Sequence, residues 1–353
     1  MASAPSIDCV DLFCGLGGLT HGLERGGIRV TAGVDLDPDC RFAYENNNSA
    51  AFYERDVRGL SAHDLSELFG DGDLRLLAGC APCQPFSTYS RAGRQSRQNE
   101  KWDLLIEFAR LVREVQPDLV TMENVPQLVH HLVFKEFLDD LAGYTVRHQV
   151  VECSSYGVPQ ARKRLVLLAS KLGDIELVSP VGWATDNATV HTAISGLPPL
   201  AAGERDPTDA LHSACRLSEL NLRRIRASRP GGTWRDWDAC LIALCHRKDR
   251  GSTYPSVYGR MAWQEPSPTI TTQSFGYGNG RFGHPEQDRA ITLREAAIIQ
   301  TFPPHYRFLM DGEVARFSVM GRLIGNAVPV RLGEVIAASI VRHVENFGAV
   351  RVK

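Results

Sequence analysis

The stretch from Ile7 to Gly27 constrains the fold more than any other. IDCVDLF (7–13) is an apolar run of strand length, and CGLGGLTHGLERGG after it turns on glycine before taking on helical spacing. Strand, glycine turn and helix open a dinucleotide-type βαβ unit. A second strand, RVTAGVDLD (29–37), follows, and a helix begins at DPDCRFAYENN. Further strand-like runs are LRLLAGC (74–80), PDLVTMEN (117–124), TVRHQVVEC (145–153) and RLVLLAS (164–170), with helical stretches at 103–115 and 134–143 between them. This alternation predicts an α/β fold with a mostly parallel, doubly wound sheet. Residues 181–290 break the pattern: they are rich in Pro, Gly, Ser, Arg and Trp and lack sustained periodicity. Regular structure resumes with TLREAAIIQTF (292–302) and a final helix from Val330 to near Phe347. We therefore expect a first domain at 1–183, a smaller irregular domain at 184–318, and a segment 319–353 that returns to the first.

Reading along the chain, we see no apolar run of the roughly 18 residues needed to span a bilayer, and MASAPSIDCV lacks the pattern of a secretion signal. A cytoplasmic protein is expected. Nine cysteines, an odd number scattered from Cys9 to Cys245, read as reduced thiols. The net charge of -2 hides an asymmetry. Residues 1–80 carry 13 acidic and 6 basic side chains, whereas 216–250 carry nine basic against four acidic. That basic segment, interleaved with Trp234, Trp237 and Tyr254, fits a polyanionic partner better than a merely solvated face.

Gly15, Gly17 and Gly18 let backbone N–H groups approach a ligand and open a helix whose N-terminus favours negative charge. Asp35 ends the second strand, where an acidic side chain accepts from ribose hydroxyls, and Asp56 offers a further acceptor for an adenine amine or a cationic amino acid. Acids converging on a glycine loop suit an adenosine ligand that lacks a pyrophosphate and carries an amino-acid cation. S-adenosylmethionine fits that description better than a dinucleotide; helix capping is the plainer reading of both aspartates.

CAPCQPFS (80–87) could be half a zinc site, a redox dithiol, two core thiols, or one nucleophile beside a bystander. Cys83 follows a strand in a turn held by Pro82 and Pro85, where open α/β sheets bind their ligands. Glu123 and Asn124 occupy the same place after the next strand. Arg162 and Arg164 alternate at the start of RLVLLAS and would share one face. A thiol, a carboxyl and two arginines near a methyl donor fit chemistry on a pyrimidine ring. The thiolate adds to carbon 6, while Glu123 holds the ring nitrogen and exocyclic amine, making carbon 5 nucleophilic. Neighbouring arginines would lower the thiol pKa from its free value of about 8.5.

DLFCGLGG, GVDLDP, CAPCQPFS, MENV, QARKR, LREAAIIQTFP and GNAVPV, in this order across residues 11–330, resemble the signature set of the DNA (cytosine-5-)-methyltransferases, here of the bacterial single-chain type. LREAAIIQTFP departs from the family pattern in lacking a second arginine. The resemblance implies a Rossmann-like S-adenosylmethionine-dependent domain plus a target-recognition domain. It makes Cys83 the nucleophile, Glu123 the residue that binds and protonates cytosine, and Arg162, Arg164 and Asn124 its supports. For the cofactor it implies Phe13, Gly15, Leu16, Gly17, Asp35, Leu36, Asp56, Val57, Pro82, Leu104 and Asn326, with Gly18 beside them; Leu36, Val57 and Leu104 would pack on adenine. The segment 88–101 would close over the target strand, placing Arg91, Arg94, Arg97 and Lys101 at DNA, with Ser87 just before it also expected there.

The recognition domain of this family coincides with the basic segment, so Arg223, Arg224, Arg226 and Arg235 are expected on DNA, and phosphates take half to two-thirds of such bonds. Trp234 and Trp237 are better read as core. The partner implied is double-stranded DNA, from which the target cytosine is flipped out. A separate cognate restriction endonuclease is compatible, and a monomer without membrane contact, nucleoid-associated when on DNA, is expected. Cys240, Cys245 and His246, with Cys215, have spacing too irregular for zinc, and no metal is expected. A tRNA cytosine-5 methyltransferase and a catalytically silent DNA-binding regulator are the alternatives. Activity assays should separate the two cysteines of CAPCQPFS: Cys80→Ala is expected to keep most methyl transfer, and Cys83→Ala essentially none.

Overall fold

The computed structural model describes residues 5–82, 103–183 and 188–351. Cys83, Ser87, Arg91, Arg94, Arg97 and Lys101 lie outside the described residues. The chain forms two compact units, one of residues 1–156, 163–182 and 328–353, the other of 157–162 and 183–327. The smaller unit thus takes in residues 157–162 and keeps everything up to Ala327, whereas the sequence reading placed its limits at 184 and 318.

In the larger unit the order is β1 (Ile7–Leu12), α1 (Gly18–Arg25), β2 (Arg29–Asp35), α2 (Arg41–Glu45), β3 (Ala51–Glu54), α3 (Ala62–Leu68), β4 (Leu74–Gly79), α4 (Asp103–Val115), β5 (Leu119–Asn124), α5 (Leu132–Asp140) and β6 (Thr145–Glu152). A two-residue β7 (Gln160–Ala161) belongs to the smaller unit, and β8 (Lys163–Ser170) completes the sheet. The seven strands lie in the order β3-β2-β1-β4-β5-β8-β6. Neighbours from β3 to β5 pair parallel, while β8 pairs antiparallel with both β5 and β6. The sheet is mostly parallel, as expected, with β8 as its antiparallel member. Both β1 and β5 are buried along their whole length, which is why they read as near-continuous apolar runs. The chain runs outward from β1 through β2 to β3, then crosses to β4 on the other side of β1. The crevice beyond the carboxyl ends of β1 and β4 is therefore the topological switch point.

The core beneath this crevice joins Leu12, Val34, Leu77, Val120 and Leu165 of the sheet to Phe108 and Leu111 of α4 and Phe137 of α5. Phe108 and Phe137 stack with ring centroids 5.7 Å apart.

The smaller unit contains α6 (Val190–Ile194), α7 (Glu219–Arg226), α8 (Asp249–Ser252), β9 (Ser267–Pro268, paired with β7), α9 (Leu293–Ile299) and α10 (Phe317–Asn326). Its centre is Ile225, Trp234, Trp237, Leu241, Val257 and Tyr277, so both tryptophans are core. With little regular secondary structure, its main-chain carbonyls need other donors, and buried arginines supply them. Arg260 donates to the carbonyls of Ile225, Ser228, His284 and Gln287, and the fully buried Arg289 is bidentate to Glu295, both at 2.7 Å.

The chain returns to the larger unit as α11 (Val330–Arg351), which packs on α1. By length and composition alone, the stretch Phe317–Gly348 is apolar enough to cross a membrane, but 67% of its most apolar window is buried inside the protein, as in the core helix of a globular protein. The two helices touch through glycine: a methyl group on Gly22 would run into the backbone from Val330 to Glu334. Gly22→Ala is therefore expected to cost about 1–3 kcal/mol by overpacking, read as a lowered midpoint in urea denaturation.

Candidate active site at the carboxyl ends of the strands

The glycine turn after β1 is held by its neighbours. Phe13, Gly15 and Gly17 all take positive φ, at 60°, 52° and 84°. For Phe13 this is a strained conformation of the kind found at functional sites. Gly15 N donates to Asp35 Oδ2 and Asp37 N to Asp35 Oδ1, each at 2.9 Å. Asp35 therefore shapes the loop and keeps acceptor capacity on both oxygens. Burial raises its pKa against the pull of these two backbone donors. Leu36, next in sequence, is 59% exposed, an apolar surface at the mouth of the crevice. Val57 is buried in the core and Leu104 packs on that core. Leu16 is buried, and Pro82 is exposed at the exit of β4.

Asp56 caps the short helical turn 57–59, and its carboxylate holds the Arg58 guanidinium at 2.7 Å, which lowers its pKa. The plainer capping reading thus describes its contacts. Asn326 ends α10 in the smaller unit, exposed.

The sequence reading missed Asp11. It is 1% exposed, and its Oδ2 accepts from Thr20 Oγ1 at 2.7 Å, with the Tyr44 hydroxyl 3.1 Å from Thr20. Among the described residues Asp11 Oδ1 has no hydrogen-bond partner. Burial first, and the charge of Asp35 after it, push the Asp11 pKa up to about 7. An aspartate inside the apolar run IDCVDLF was the available signal.

At the other side of the crevice, register sets the chemistry. Gly79 of β4 pairs with Met122 of β5, so the chain leaves β4 alongside Glu123 and Asn124. Asn124, 4% exposed, donates from Nδ2 to the Ala81 carbonyl at 3.0 Å and accepts from Val125 N at 2.8 Å. It ties the end of β5 to the segment that leads into Cys83. Glu123 is buried, and its Oε1 lies 2.7 Å from Arg164 Nε. The angle falls outside hydrogen-bond range, so Oε1 has no hydrogen-bond partner among the described residues. Cys80 ends the strand with a thiol whose pKa is raised well above the ordinary value by burial and by the Glu123 charge, so it stays protonated.

Two arginines need correction. Arg162 belongs to the smaller unit and Arg164 to β8 of the larger. Arg162 is 1% exposed within the smaller unit and donates to the carbonyls of Ile270, Gly325 and Ala327. Arg224 is 9% exposed, donates to the Leu241 carbonyl at 2.9 Å and lies over the Trp237 and Tyr258 rings. Both guanidiniums are buried and donate to main-chain carbonyls. Arg223, Arg226 and Arg235 are exposed. Among the described residues no three His, Cys, Asp or Glu side chains are grouped to hold a metal.

A mostly parallel sheet with a glycine turn after its first strand, an acid at the end of its second and a carboxyl–arginine pair across β5 and β8 is the arrangement of a Rossmann-like methyltransferase. The family model for C-5 cytosine-specific DNA methylase matches residues 7–342. The chain belongs to that family and is a DNA cytosine-5 methyltransferase. It is 51% identical over 341 residues to the type II methylase M.HgiDII of Herpetosiphon aurantiacus, covering 95% of each chain. It is 32% identical to the type II methyltransferase M1.BsuMI of Bacillus subtilis, covering 96% of this chain and 81% of that one. A crystal structure of a prophage-encoded E. coli protein described as a DNA modification methyltransferase superposes with a TM-score of 0.72 at 22% identity, over 96% of this chain and 100% of that one.

The buried Glu123–Arg164 pair yields a direct expectation. Arg164→Ala leaves a buried carboxylate without its counter-charge, and we expect a loss of about 3–5 kcal/mol in unfolding free energy by urea titration.

Proposed function

We propose that the crevice beyond β1, β4 and β5 methylates carbon 5 of a cytosine flipped out of duplex DNA, with Cys83 as nucleophile and Glu123 as the group that holds the ring. The observation that carries this reading is the pair of ties at the end of β5: Glu123 to Arg164, and Asn124 to the Ala81 carbonyl just before Cys83.

S-adenosylmethionine suits the donor side. The buried Asp11 carboxylate with its unpartnered Oδ1, the half-buried Asp35 carboxylate, and the positive-φ turn at Gly15 and Gly17 fit an adenosine ligand carrying an amino-acid cation. Phe13, Leu16, Gly18, Leu36, Val57, Asp56, Pro82, Leu104 and Asn326 complete the set proposed to hold it, with the exposed Leu36 best disposed to pack on adenine. When bound, S-adenosylmethionine supplies the sulfonium methyl group that carbon 5 takes up.

The protein's own groups do the rest. The Cys83 thiolate adds to carbon 6, and Glu123 places a proton at the ring nitrogen, so that carbon 5 gains enamine character. Arg164 fixes the Glu123 carboxyl, and Asn124 fixes the backbone that carries the thiol. After carbon 5 has taken up the methyl group, a base removes the carbon 5 proton, the thiolate leaves carbon 6, and the ring nitrogen returns its proton to Glu123, which restores the ring. Cys80, with its raised pKa, takes no part.

The smaller unit is proposed to recognise the target sequence, with Arg223, Arg226 and Arg235 on DNA, and Ser87, Arg91, Arg94, Arg97 and Lys101 contributing from 83–102. Phosphate contacts offset the few kcal/mol spent in flipping the base and make binding fall with salt. The type II names of the relatives support a short specific target and a place in restriction and modification, with a cognate endonuclease acting separately. A cytoplasmic monomer, nucleoid-associated on DNA, is proposed.

Duplex DNA carrying 5-fluorocytosine tests this reading, because fluorine cannot leave carbon 5 as a proton does. With methyl donor present, a covalent protein–DNA adduct mapping to Cys83 is expected. Methyl transfer to tRNA in preference to duplex DNA would point to the tRNA enzyme, and DNA binding without an adduct to a silent regulator.

A further inference from the structure

The exposed arginines of the smaller unit are held in different ways; Arg247, like Arg235, donates to a backbone carbonyl and has no carboxylate partner among the described residues. Arg226 pairs with Asp288 at 3.0 Å and Arg229 with Asp236 at 2.8 Å, so each is matched by a carboxylate. Among the described residues no carboxylate pairs with Arg235. Its guanidinium carbon lies 5.7 Å from the centroid of the Trp234 ring, and its Nη2 donates to the Ser252 carbonyl at 2.8 Å.

The platform beneath it is itself fixed. Trp234 is 5% exposed, donates from Nε1 to the Tyr254 carbonyl at 2.9 Å and stacks on His246 with ring centroids 4.3 Å apart and 17° between planes. Trp234, Arg235 and Asp236 form a short helical turn closed by a capping box, in which Thr233 accepts from Arg235 N and Asp236 accepts from Thr233 N. Backbone, ring and one N–H are all held while the side chain stays exposed.

A guanidinium has two edges that can make paired hydrogen bonds, one from Nε and Nη2 and one from Nη1 and Nη2. Each edge uses a different hydrogen of Nη2, so the bond to Ser252 leaves the other edge intact. A charged, planar fork that is already ordered loses little entropy on binding. Phosphate needs only charge, but discrimination between bases needs a fixed donor pair. The O6 and N7 acceptors of guanine in the major groove match such a pair.

Resting on the reading of this chain as a duplex-DNA methyltransferase, we propose that Arg235 reads a guanine of the recognition sequence through its O6 and N7, and so is a specificity-determining residue rather than a phosphate contact.

Cytosine methylation mapped on a random-sequence plasmid library first gives the wild-type target. Duplexes in which each guanine of that target is replaced singly by 7-deazaguanine, which lacks the N7 acceptor, are then measured for binding. The wild-type protein is expected to lose about tenfold in affinity at one guanine. In Arg235→Ala that penalty should vanish, and the mapped target should lose its preference at the same position. Wild-type binding indifferent to every 7-deaza substitution overturns the assignment without any variant. A variant that keeps the wild-type target and penalty, and loses only salt-sensitive affinity, overturns it in favour of phosphate. A wild-type protein that methylates no cytosine in duplex DNA sinks the underlying reading instead.

Discussion

The site depends on one row of strand partners. Leu12 of β1 pairs with Val34 of β2 and Gly79 of β4, and Gly79 pairs with Met122 of β5. Four chain segments therefore leave the sheet at one level, bringing the glycine turn, Asp35, the approach to Cys83 and Glu123 to a common edge. A slip of one residue in any of these pairings would turn the relevant side chain to the opposite face. Short ties lock the arrangement above the sheet: Gly15 N to Asp35, and Asn124 to the Ala81 carbonyl.

The antiparallel β8 is as important as the parallel strands. Glu123 lies near the end of β5, whereas Arg164 lies near the start of β8. In a parallel pair those two positions would sit at opposite edges of the sheet, about 20 Å apart for strands of six residues. Antiparallel pairing, with Glu123 opposite Val166, brings them together. A mostly parallel sheet leaves the direction of RLVLLAS open, and its antiparallel pairing is what brings Arg164 to Glu123.

Much of the larger unit was legible in the sequence because its order rests on local signals. The buried strands read as apolar runs, and the turn at 13–17 is marked by glycines whose positive φ a side chain would resist. Cys80 and Glu123 were placed by the same logic. Other roles depend on contacts distant in sequence and leave no local trace. Alternation put Arg162 and Arg164 on one face, but Arg162 instead satisfies carbonyls at 270, 325 and 327. Arg224 looked like part of a basic surface and is a core residue, because an irregular unit needs buried donors for carbonyls that no sheet or helix engages. The basic bias of 216–250 has a structural component as well as an electrostatic one. Asp11 escaped notice because Asp8 breaks the same apolar run; both are buried, and only the unpartnered oxygen of Asp11 distinguishes it from Asp8, which Arg29 holds.

The central claim is that thiolate addition at carbon 6 and proton placement by Glu123 make carbon 5 exchangeable. Release of tritium from duplex DNA labelled at carbon 5 of cytosine, followed without methyl donor, measures that step apart from methyl transfer. The account predicts release by the wild-type protein, none by Cys83→Ala, and strongly reduced release by Glu123→Gln. Undiminished release by either variant would contradict it.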